Sequence, residues 1–210
     1  MTTHPCKDGH GNLVEIQHPH TASEPTHWAA PNKSAIATPG MRMPAIIAGI
    51  PVLSWRNAPG PLDVDAWGAV AQAGSITEPA FNPPAGTKHA AGAVITEADG
   101  RVWLVAPTNA FGGYKATFPK GRIDLGMSMQ ATAIKEAFEE TGLHIELVSH
   151  LIDTPRSTTF TRFYLARRIG GDPADMGWES QAVLLVPRYK LPTYLNSPYD
   201  TPVLGALRSR

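Results

Sequence analysis

Beyond residue 85, apolar runs alternate with polar segments in a pattern that predicts regular secondary structure. Runs rich in β-branched, aliphatic and aromatic residues predict five strands, at 90–96, 102–106, 145–152, 158–166 and 180–186. Asp99-Gly100 is a strong hairpin signal between the first two, and a further strand is predicted to end at Pro119. Helices are predicted at 129–141 and 199–207. Strands around two helices are typical of an α/β or α+β sandwich and not of a repeat protein or a bundle.

Residues 1–84 lack this regularity. They hold 12 of the 20 prolines and few charges, so we expect mostly irregular structure with brief edge pairings. The pattern predicts a short strand at 13–16 and a helix at 64–73, with Asp63 as its N-cap. Three tryptophans in this segment indicate that it is packed and not disordered.

The strongest boundary signal is Asn82-Pro83-Pro84-Ala85-Gly86, where a stiff Pro-Pro pair precedes a flexible glycine. We therefore divide the chain into a Pro-rich N-terminal extension, 1–84, and a main domain, 85–210. The extension is either a small accessory domain or a wrap around the main one.

Composition narrows the class of protein. Lys+Arg and Asp+Glu both total 18, so no overall charge points to a nucleic-acid or membrane partner. No apolar run approaches the length of a membrane span, and the N-terminus lacks the apolar core of a signal peptide. The single cysteine, Cys6, excludes an intrachain disulfide and fits a reducing compartment, so we expect a cytoplasmic protein.

Five of the eight histidines lie in the extension and, with Cys6, suggest a zinc site. The spacing does not match the paired ligands usual for structural zinc, and only one thiolate is available. We interpret these histidines as polar surface residues and assign no metal to them.

The segment 117–143 carries the most chemical information. Ser128 is a candidate N-cap and Gly142 a candidate C-terminal stop for the helix 129–141. Glu136, Glu139 and Glu140 stand at i, i+3 and i+4, so their carboxylates share one face. Their mutual repulsion near a helix C-terminus is unfavourable, and Mg²⁺ or Mn²⁺ would relieve it. From the residues alone, a metal site and a solvated acidic face both remain open.

The flanking residues resemble the Nudix hydrolase signature, Gly-x5-Glu-x7-Arg-Glu-U-x-Glu-Glu-x-Gly-U, where U is a bulky apolar residue. Gly121 opens the motif and Gly142-Leu143 closes it, with the three glutamates in register between them. The downstream segments Phe160-Thr161-Arg162-Phe163-Tyr164-Leu165 and Gly177-Trp178-Glu179-Ser180 are similar to the second half of such domains. The resemblance implies a Nudix-type mixed-sheet sandwich with flanking helices over 85–210.

The resemblance also implies a metal-dependent pyrophosphohydrolase, which cleaves a P–O–P bond of a nucleoside- or inositol-linked polyphosphate by attack of water. It makes Glu136, Glu139 and Glu140 the ligands of Mg²⁺ or Mn²⁺, with the Gly121 carbonyl as an additional ligand. A general base is needed near the water, and Glu139, Glu140 or Glu179 is a candidate. A surface carboxylate is the alternative interpretation of Glu179.

Two positions depart from the signature. Met127 stands at its first glutamate and Lys135 at its arginine, so the Nudix box is divergent. Lysine keeps the positive charge but loses the bidentate geometry of arginine. Asp124, three residues before Met127, is a candidate substitute for the missing carboxylate. We therefore expect a slow enzyme, and a catalytically weak nucleotide-binding or regulatory module is the alternative.

The substrate is predicted to be a small molecule with several phosphates. Phe118-Pro119-Lys120-Gly121 is similar to the Pro-Lys-Gly entry of the diadenosine and diphosphoinositol polyphosphate hydrolases. Five basic residues are candidates for binding phosphates, with solubilising surface charge as the alternative for each: Lys115, Lys120, Arg122, Arg156 and Arg162. A further interpretation makes residues 1–84 an arm for homodimer formation.

Overall fold

The computed structural model describes residues 2–210 and contains eleven strands and five α-helices in that range. The strands are β1 (Thr2–Thr3), β2 (Glu15–Ile16), β3 (Ala35–Ala37), β4 (Ile46–Ile47), β5 (Ile50–Pro51), β6 (Lys88–Thr96), β7 (Arg101–Pro107), β8 (Lys120–Arg122), β9 (Leu143–Pro155), β10 (Thr159–Gly171) and β11 (Ser180–Pro187). The helices are α1 (Pro25–Ala29), α2 (Val64–Ala73), α3 (Met129–Thr141), α4 (Leu191–Tyr194) and α5 (Thr201–Arg208).

A mixed seven-stranded sheet forms the centre of the molecule. Its order is β3-β11-β7-β6-β10-β9, and β8 pairs with β6 beside this path. Strands β6 and β10 are parallel, and the other pairs in the sheet are antiparallel. Both sheet faces are buried, because one cluster of apolar side chains packs with α2 and α3 and a second packs with α4 and α5. The predicted mixed-sheet sandwich with flanking helices is therefore confirmed.

Helix α3 begins and ends where the sequence predicts. The Ser128 hydroxyl accepts a hydrogen bond from the Ala131 amide at 3.1 Å, which satisfies one free N–H of the first turn. Gly142 ends the helix in the left-handed conformation, with φ of 69°. A Cβ at residue 142 would also overlap the Asp172 carbonyl, so glycine is required here twice over.

Helix α2 belongs to the N-terminal extension and packs on α3. The Asp63 carboxylate caps α2 by accepting a hydrogen bond from the Ala66 amide at 3.0 Å, as predicted. The Trp67 ring is buried and lies 6.1 Å from that of Phe138 on α3. The extension thus packs on α3, the helix that carries the glutamates, and supports it on the side of Phe138.

Two buried arginines of the main domain bind the backbone of the extension. Arg101 donates to the carbonyls of His27 and Trp28 at 3.0 and 2.7 Å. Arg168 donates to the carbonyl of Ile47 at 2.7 Å and also pairs with the buried Glu97 carboxylate. With β3 inserted beside β11, residues before 85 pack on the same core as the main domain.

Some predicted boundaries were wrong. Strands β9 and β10 run past their predicted ends, because bulges let the ladder continue through polar residues. No continuous strand ends at Pro119; a single bridge joins Val105 to Thr117, and β8 begins at Lys120 because proline has no N–H to donate. The strand at 13–16 is confined to Glu15–Ile16, and the last helix begins at Thr201.

Across the range 2–210, no helix is both long enough and apolar enough to span a membrane.

Candidate functional site

The carboxylates of α3 lie against β8. A Cβ at residue 121 would overlap the Glu136 carboxyl group, so glycine allows this side chain to reach the strand backbone. Glu140 accepts a hydrogen bond at 2.8 Å from the Lys120 amide, the residue before Gly121. Strand β8 and the last turns of α3 therefore form one acidic site.

This site is short of positive charge. Burial raises the pKa of Glu136, and the neighbouring Glu140 charge raises it further. Burial also raises the pKa of Glu140 against the opposing effect of the Lys120 charge. Burial raises the pKa of Glu139, although its hydrogen bond with Lys135 opposes the shift. Each of these carboxylates is harder to ionise than an exposed glutamate, so a bound cation would stabilise the cluster.

Lys135 stands at the signature arginine and is largely buried. Its ammonium lies 2.8 Å from Glu139 Oε2, 3.3 Å from Asp124 Oδ2 and 3.9 Å from Glu136 Oε1. Burial alone would lower the pKa of Lys135, but the hydrogen bond and charge of Glu139 raise it above its usual range. The ammonium is therefore firmly charged and ties Glu139 to the loop that precedes α3.

Met127 stands at the signature's first glutamate and is buried in the core cluster beneath α3. It contributes no carboxylate to the site. Asp124, by contrast, reaches Lys135 from three residues upstream. Asp124 is the predicted substitute for the glutamate that is missing at position 127. Its contact with Lys135 gives that hypothesis a geometric basis.

Glu179 approaches the cluster from the opposite wall. It lies in the turn 177–180 before β11, where the Gly177 amide donates to the Glu139 carbonyl at 2.8 Å. The Glu179 charge contributes to the raised pKa of Glu136, Glu139 and Glu140, so its carboxylate is near all three. The structure thus brings the four predicted glutamates together.

A basic and aromatic wall borders the same site. The Lys120 ammonium lies 5.4 Å from the centre of the Tyr114 ring, and the Arg156 guanidinium lies 5.7 Å from it. Arg156 is buried and pairs with Asp200 at 2.6 Å. Among residues 2–210, the Lys120 ammonium has neither a salt bridge nor a hydrogen bond, so it is free to bind an anion.

The other three predicted phosphate ligands are placed differently. Arg162 is buried and holds Asp153 with two hydrogen bonds of 2.7 Å each, so its guanidinium is already paired within the protein. Lys115 and Arg122 are exposed, and neither side chain forms a salt bridge in the described part of the chain. Lys120 and Arg156 are thus the two that converge on one aromatic ring.

The sequence interpretation missed two members of this wall, Tyr114 and Asp200. Tyr114 follows Gly112-Gly113 between the predicted strands, and Asp200 lies within the predicted helix 199–207, where nothing marks it as a site residue. No local motif marks either residue, because their roles depend on contacts with Lys120 and Arg156 across the fold.

The donor chemistry fits a divalent cation. Several carboxylates and a backbone carbonyl provide the hard oxygen ligands that Mg²⁺ and Mn²⁺ prefer. Nevertheless, in the described range no three Asp, Glu, His or Cys side chains are arranged to hold a metal as they stand. Glu139 is turned toward the Lys135 ammonium, so side-chain rotation would be needed for all the glutamates to coordinate one ion.

Comparison with known proteins identifies the family. The sequence model of the NUDIX domain matches residues 86–197, more than half of the chain, so this protein belongs to the NUDIX domain family. Two solved NUDIX hydrolase structures from Nitrosomonas europaea share the fold. One is 20% identical with a TM-score of 0.50, covering 62% of this chain and 74% of the other. The second is 16% identical with a TM-score of 0.51, covering 59% and 89%.

Two relatives match in sequence over shorter stretches. A Mycobacterium tuberculosis protein named MutT4 is 34% identical over 87 residues, which is 38% of this chain and 35% of the relative. Nucleoside diphosphate-linked moiety X motif 6 of Xenopus laevis is 44% identical over 62 residues, 29% of this chain and 28% of the relative. The chain spans about a third of the length of these curated relatives.

Proposed function

We propose that this protein hydrolyses a P–O–P bond in a small polyphosphorylated molecule with the help of Mg²⁺ or Mn²⁺. The observation that supports this most directly is the meeting of Glu136, Glu139, Glu140 and Glu179 opposite the free Lys120 ammonium. The glutamates can bind a metal ion, and the neighbouring Lys120 ammonium can bind a phosphate. A complex of a metal ion with a pyrophosphate requires both.

The three glutamates of α3 and the Gly121 carbonyl would hold the metal. When bound, a divalent ion offsets the charge of the pyrophosphate and lowers the pKa of the attacking water. Lys135 holds Glu139 in place, and Gly121 leaves the space that the Glu136 carboxylate occupies. The candidates for the general base are Glu179, Glu139 and Glu140, because a carboxylate beside the metal can take a proton from the attacking water.

We infer that Lys120 contacts a phosphate directly and that Arg156 supports it through Tyr114. Lys115 and Arg122 are exposed and available to a longer phosphate chain, whereas Arg162 has to leave Asp153 before it can bind one. The Pro-Lys-Gly entry supports a nucleoside- or inositol-linked polyphosphate, similar to the substrates of diadenosine and diphosphoinositol polyphosphate hydrolases. The single free cysteine supports a cytoplasmic location.

A substrate panel tests the proposal. The purified protein is incubated with Mg²⁺ or Mn²⁺ and dinucleoside polyphosphates, diphosphoinositol polyphosphates, ADP-ribose and nucleoside triphosphates, and released phosphates are measured. Glu139→Gln and Glu140→Gln should abolish turnover, and the exposed control His10→Ala should leave it unchanged. Turnover that survives in both glutamine variants would contradict the proposed site.

The second candidate function is a nucleotide-binding or regulatory module without turnover. It is favoured by Met127 and by the tie between Lys135 and Glu139, which draws one carboxylate away from its neighbours. The double variant Met127→Glu with Lys135→Arg separates the two functions. A large gain in activity indicates a weakened enzyme, and nucleotide binding with no turnover in either protein indicates a binding module.

A further inference from the structure

The N-terminal residues 2–20 form a strap that ends beside the wall carrying Glu179. The strap begins as a hairpin, in which Thr2–Thr3 pair with Glu15–Ile16 and the His4 amide donates to the Val14 carbonyl at 2.8 Å. His4 is 2% exposed, and its Nε2 lies 3.1 Å from the Ser180 carbonyl. A residue from the start of the chain is thus buried against the residue that follows Glu179.

Asn109 fastens the strap at a second point. Its side-chain amide donates to the Glu15 carbonyl at 2.8 Å, and its side-chain oxygen accepts from the Gln17 amide at 2.8 Å. The Asn109 backbone is left-handed, with φ of 53°, a conformation that asparagine tolerates better than most residues. The Asn109 side chain therefore satisfies the backbone of the strap as a neighbouring strand would.

The same asparagine is tied to the Glu179 wall. Its backbone amide donates to Gln181 Oε1 at 3.0 Å, and the Gln181 side-chain amide lies 3.3 Å from the His18 carbonyl and 3.2 Å from His20 Nδ1. Thr108, the preceding residue, donates to the carbonyls of Trp178 and Glu179 at 2.6 and 2.8 Å. Hydrogen bonds therefore hold the backbone carbonyls of residues 178–180 and the side chain of Gln181.

The other side of this turn rests on α3. The Gly177 amide donates to the Glu139 carbonyl at 2.8 Å, and a Cβ at residue 177 would lie 2.6 Å from that oxygen. The turn is therefore clamped between the strap with residues 108–109 and the helix that carries the other glutamates. The strap is therefore connected to the Glu179 wall through hydrogen bonds that lie one or two residues from Glu179.

We propose that the strap is a positioning element of the active site, with Asn109 as its positioning residue, and that it fixes how closely Glu179 approaches the glutamates of α3. This inference rests on the proposed function. It adds to that function a contribution from residues 2–20, which lie outside the segment matched by the NUDIX family model.

Asn109→Gly tests the proposal with little risk to the fold. Glycine adopts the left-handed backbone freely and keeps the backbone bond to Gln181, but it loses both side-chain bonds to the strap. We expect kcat to fall on the order of 10-fold with little change in KM, because displacement of a catalytic group slows chemistry more than it weakens binding. His10→Ala, in the exposed turn of the same strap, is the matched control and should show wild-type kinetics.

A double-mutant cycle shows whether the effect passes through Glu179. Asn109→Gly should lower kcat in the wild-type background and have no further effect in Glu179→Gln. Additive losses would overturn the proposal, and so would an Asn109→Gly variant with unchanged kcat. A wild-type protein without turnover on the whole panel overturns the proposed function and this inference with it, whereas an active wild type with additive losses overturns only the inference.

Hydrogen exchange provides a readout that is independent of turnover. In Asn109→Gly, the amides of Gly177 and Ser180 should exchange faster, since the turn that holds them is less constrained. Exchange rates equal to those of the wild type would contradict the role of the strap.

Discussion

Lysine and arginine carry the same charge at position 135 but hold a carboxylate in different ways. Arginine presents a planar fork, whereas lysine presents a compact ammonium with three donors. The ammonium of Lys135 uses these donors on carboxylates in different directions, Glu139 within its helix and Asp124 in the preceding loop. Each contact joins the ammonium to one carboxylate oxygen, so neither contact depends on the planar fork of an arginine.

The charge of Lys135 should therefore matter more than its shape. Lys135→Met should lower kcat by about 10–100-fold, because Glu139 loses its 2.8 Å partner and the carboxylates repel one another without it. Lys135→Arg should retain most of the activity. Steady-state kinetics with saturating Mg²⁺ provide the measurement, and equal losses in the two variants would show that charge is not what the site requires.

Gly121 should tolerate no side chain. Gly121→Ala places a methyl group where the Glu136 carboxyl group lies, so that carboxylate has to move away from β8. We expect a loss of turnover with only modest destabilisation, measured by kinetics and by chemical denaturation of the same samples. Gly9→Ala is the matched control, since a Cβ there contacts nothing within 4 Å. Similar activity in both variants would mean that the Glu136 position is unimportant.

The sequence predicts the residues of the site in proportion to how local their contacts are. Glu136, Glu139 and Glu140 are spaced by one helix and are found from the sequence with ease. Tyr114 contacts Lys120, and Asp200 contacts Arg156, only after distant segments of the chain pack together. No spacing in the sequence therefore predicts these two residues. The salt bridge between Arg162 and Asp153 could not be predicted from the sequence for the same reason.

Among the elements, α2 and α3 could be predicted almost to the residue, and the strands could not. Both helices carry a capping side chain at one end and a glycine at the other, and these signals act within a few residues. Strand ends depend on the partner strand instead. The bulges between β9 and β10 extend the pairing through Arg167 and Arg168, which have no strand signal of their own.

The contact between the extension and β9 predicts a pH dependence. The His144 ring stacks on Trp55 at 3.7 Å, and burial lowers the pKa of His144 below its usual value of about 6.5. As pH falls below about 6.5, His144 binds a proton in the unfolded chain before it does so in the folded protein. The free energy of unfolding therefore decreases. His144→Phe keeps an aromatic ring in the stack and removes the titration.

Urea denaturation at several pH values between 7 and 5 measures this effect. The free energy of unfolding should fall less steeply with decreasing pH in His144→Phe than in the wild type. Some dependence should remain, because burial also lowers the pKa of His4 and His20. A slope identical to that of the wild type would exclude His144 as a contributor.

For the whole molecule, the N-terminal extension behaves as part of the core. It supplies β3 to the central sheet and α2 to the back of α3, and its carbonyls satisfy the buried Arg101 and Arg168. Removal of the extension leaves these two guanidinium groups with unpaired donors and exposes the Trp103 side chain that packs on Trp28. Buried donors left without an acceptor are destabilising, even though Asp99 and Glu97 still pair with the two charges.

A protein truncated to residues 85–210 should therefore fail to fold cooperatively. Circular dichroism during thermal unfolding and size-exclusion chromatography measure this outcome, with a full-length Gly9→Ala protein as the folded reference. The dimer-arm hypothesis predicts the opposite, a folded truncated protein that is a monomer in solution while the full-length protein is a dimer. A sharp unfolding transition in the truncated protein would contradict the integral role of the extension.

The two arginine contacts also bear on how this protein diverges from its relatives. Arg101 and Arg168 bind the carbonyls of His27, Ile50 and Pro51, and a carbonyl is the same whatever side chain it belongs to. Mutations at these partly exposed positions leave the bonds intact, so the extension can drift in sequence while its path over the domain is preserved. The NUDIX family model matches only from residue 86 onward, whereas the structural unit that these bonds hold together begins well before that residue.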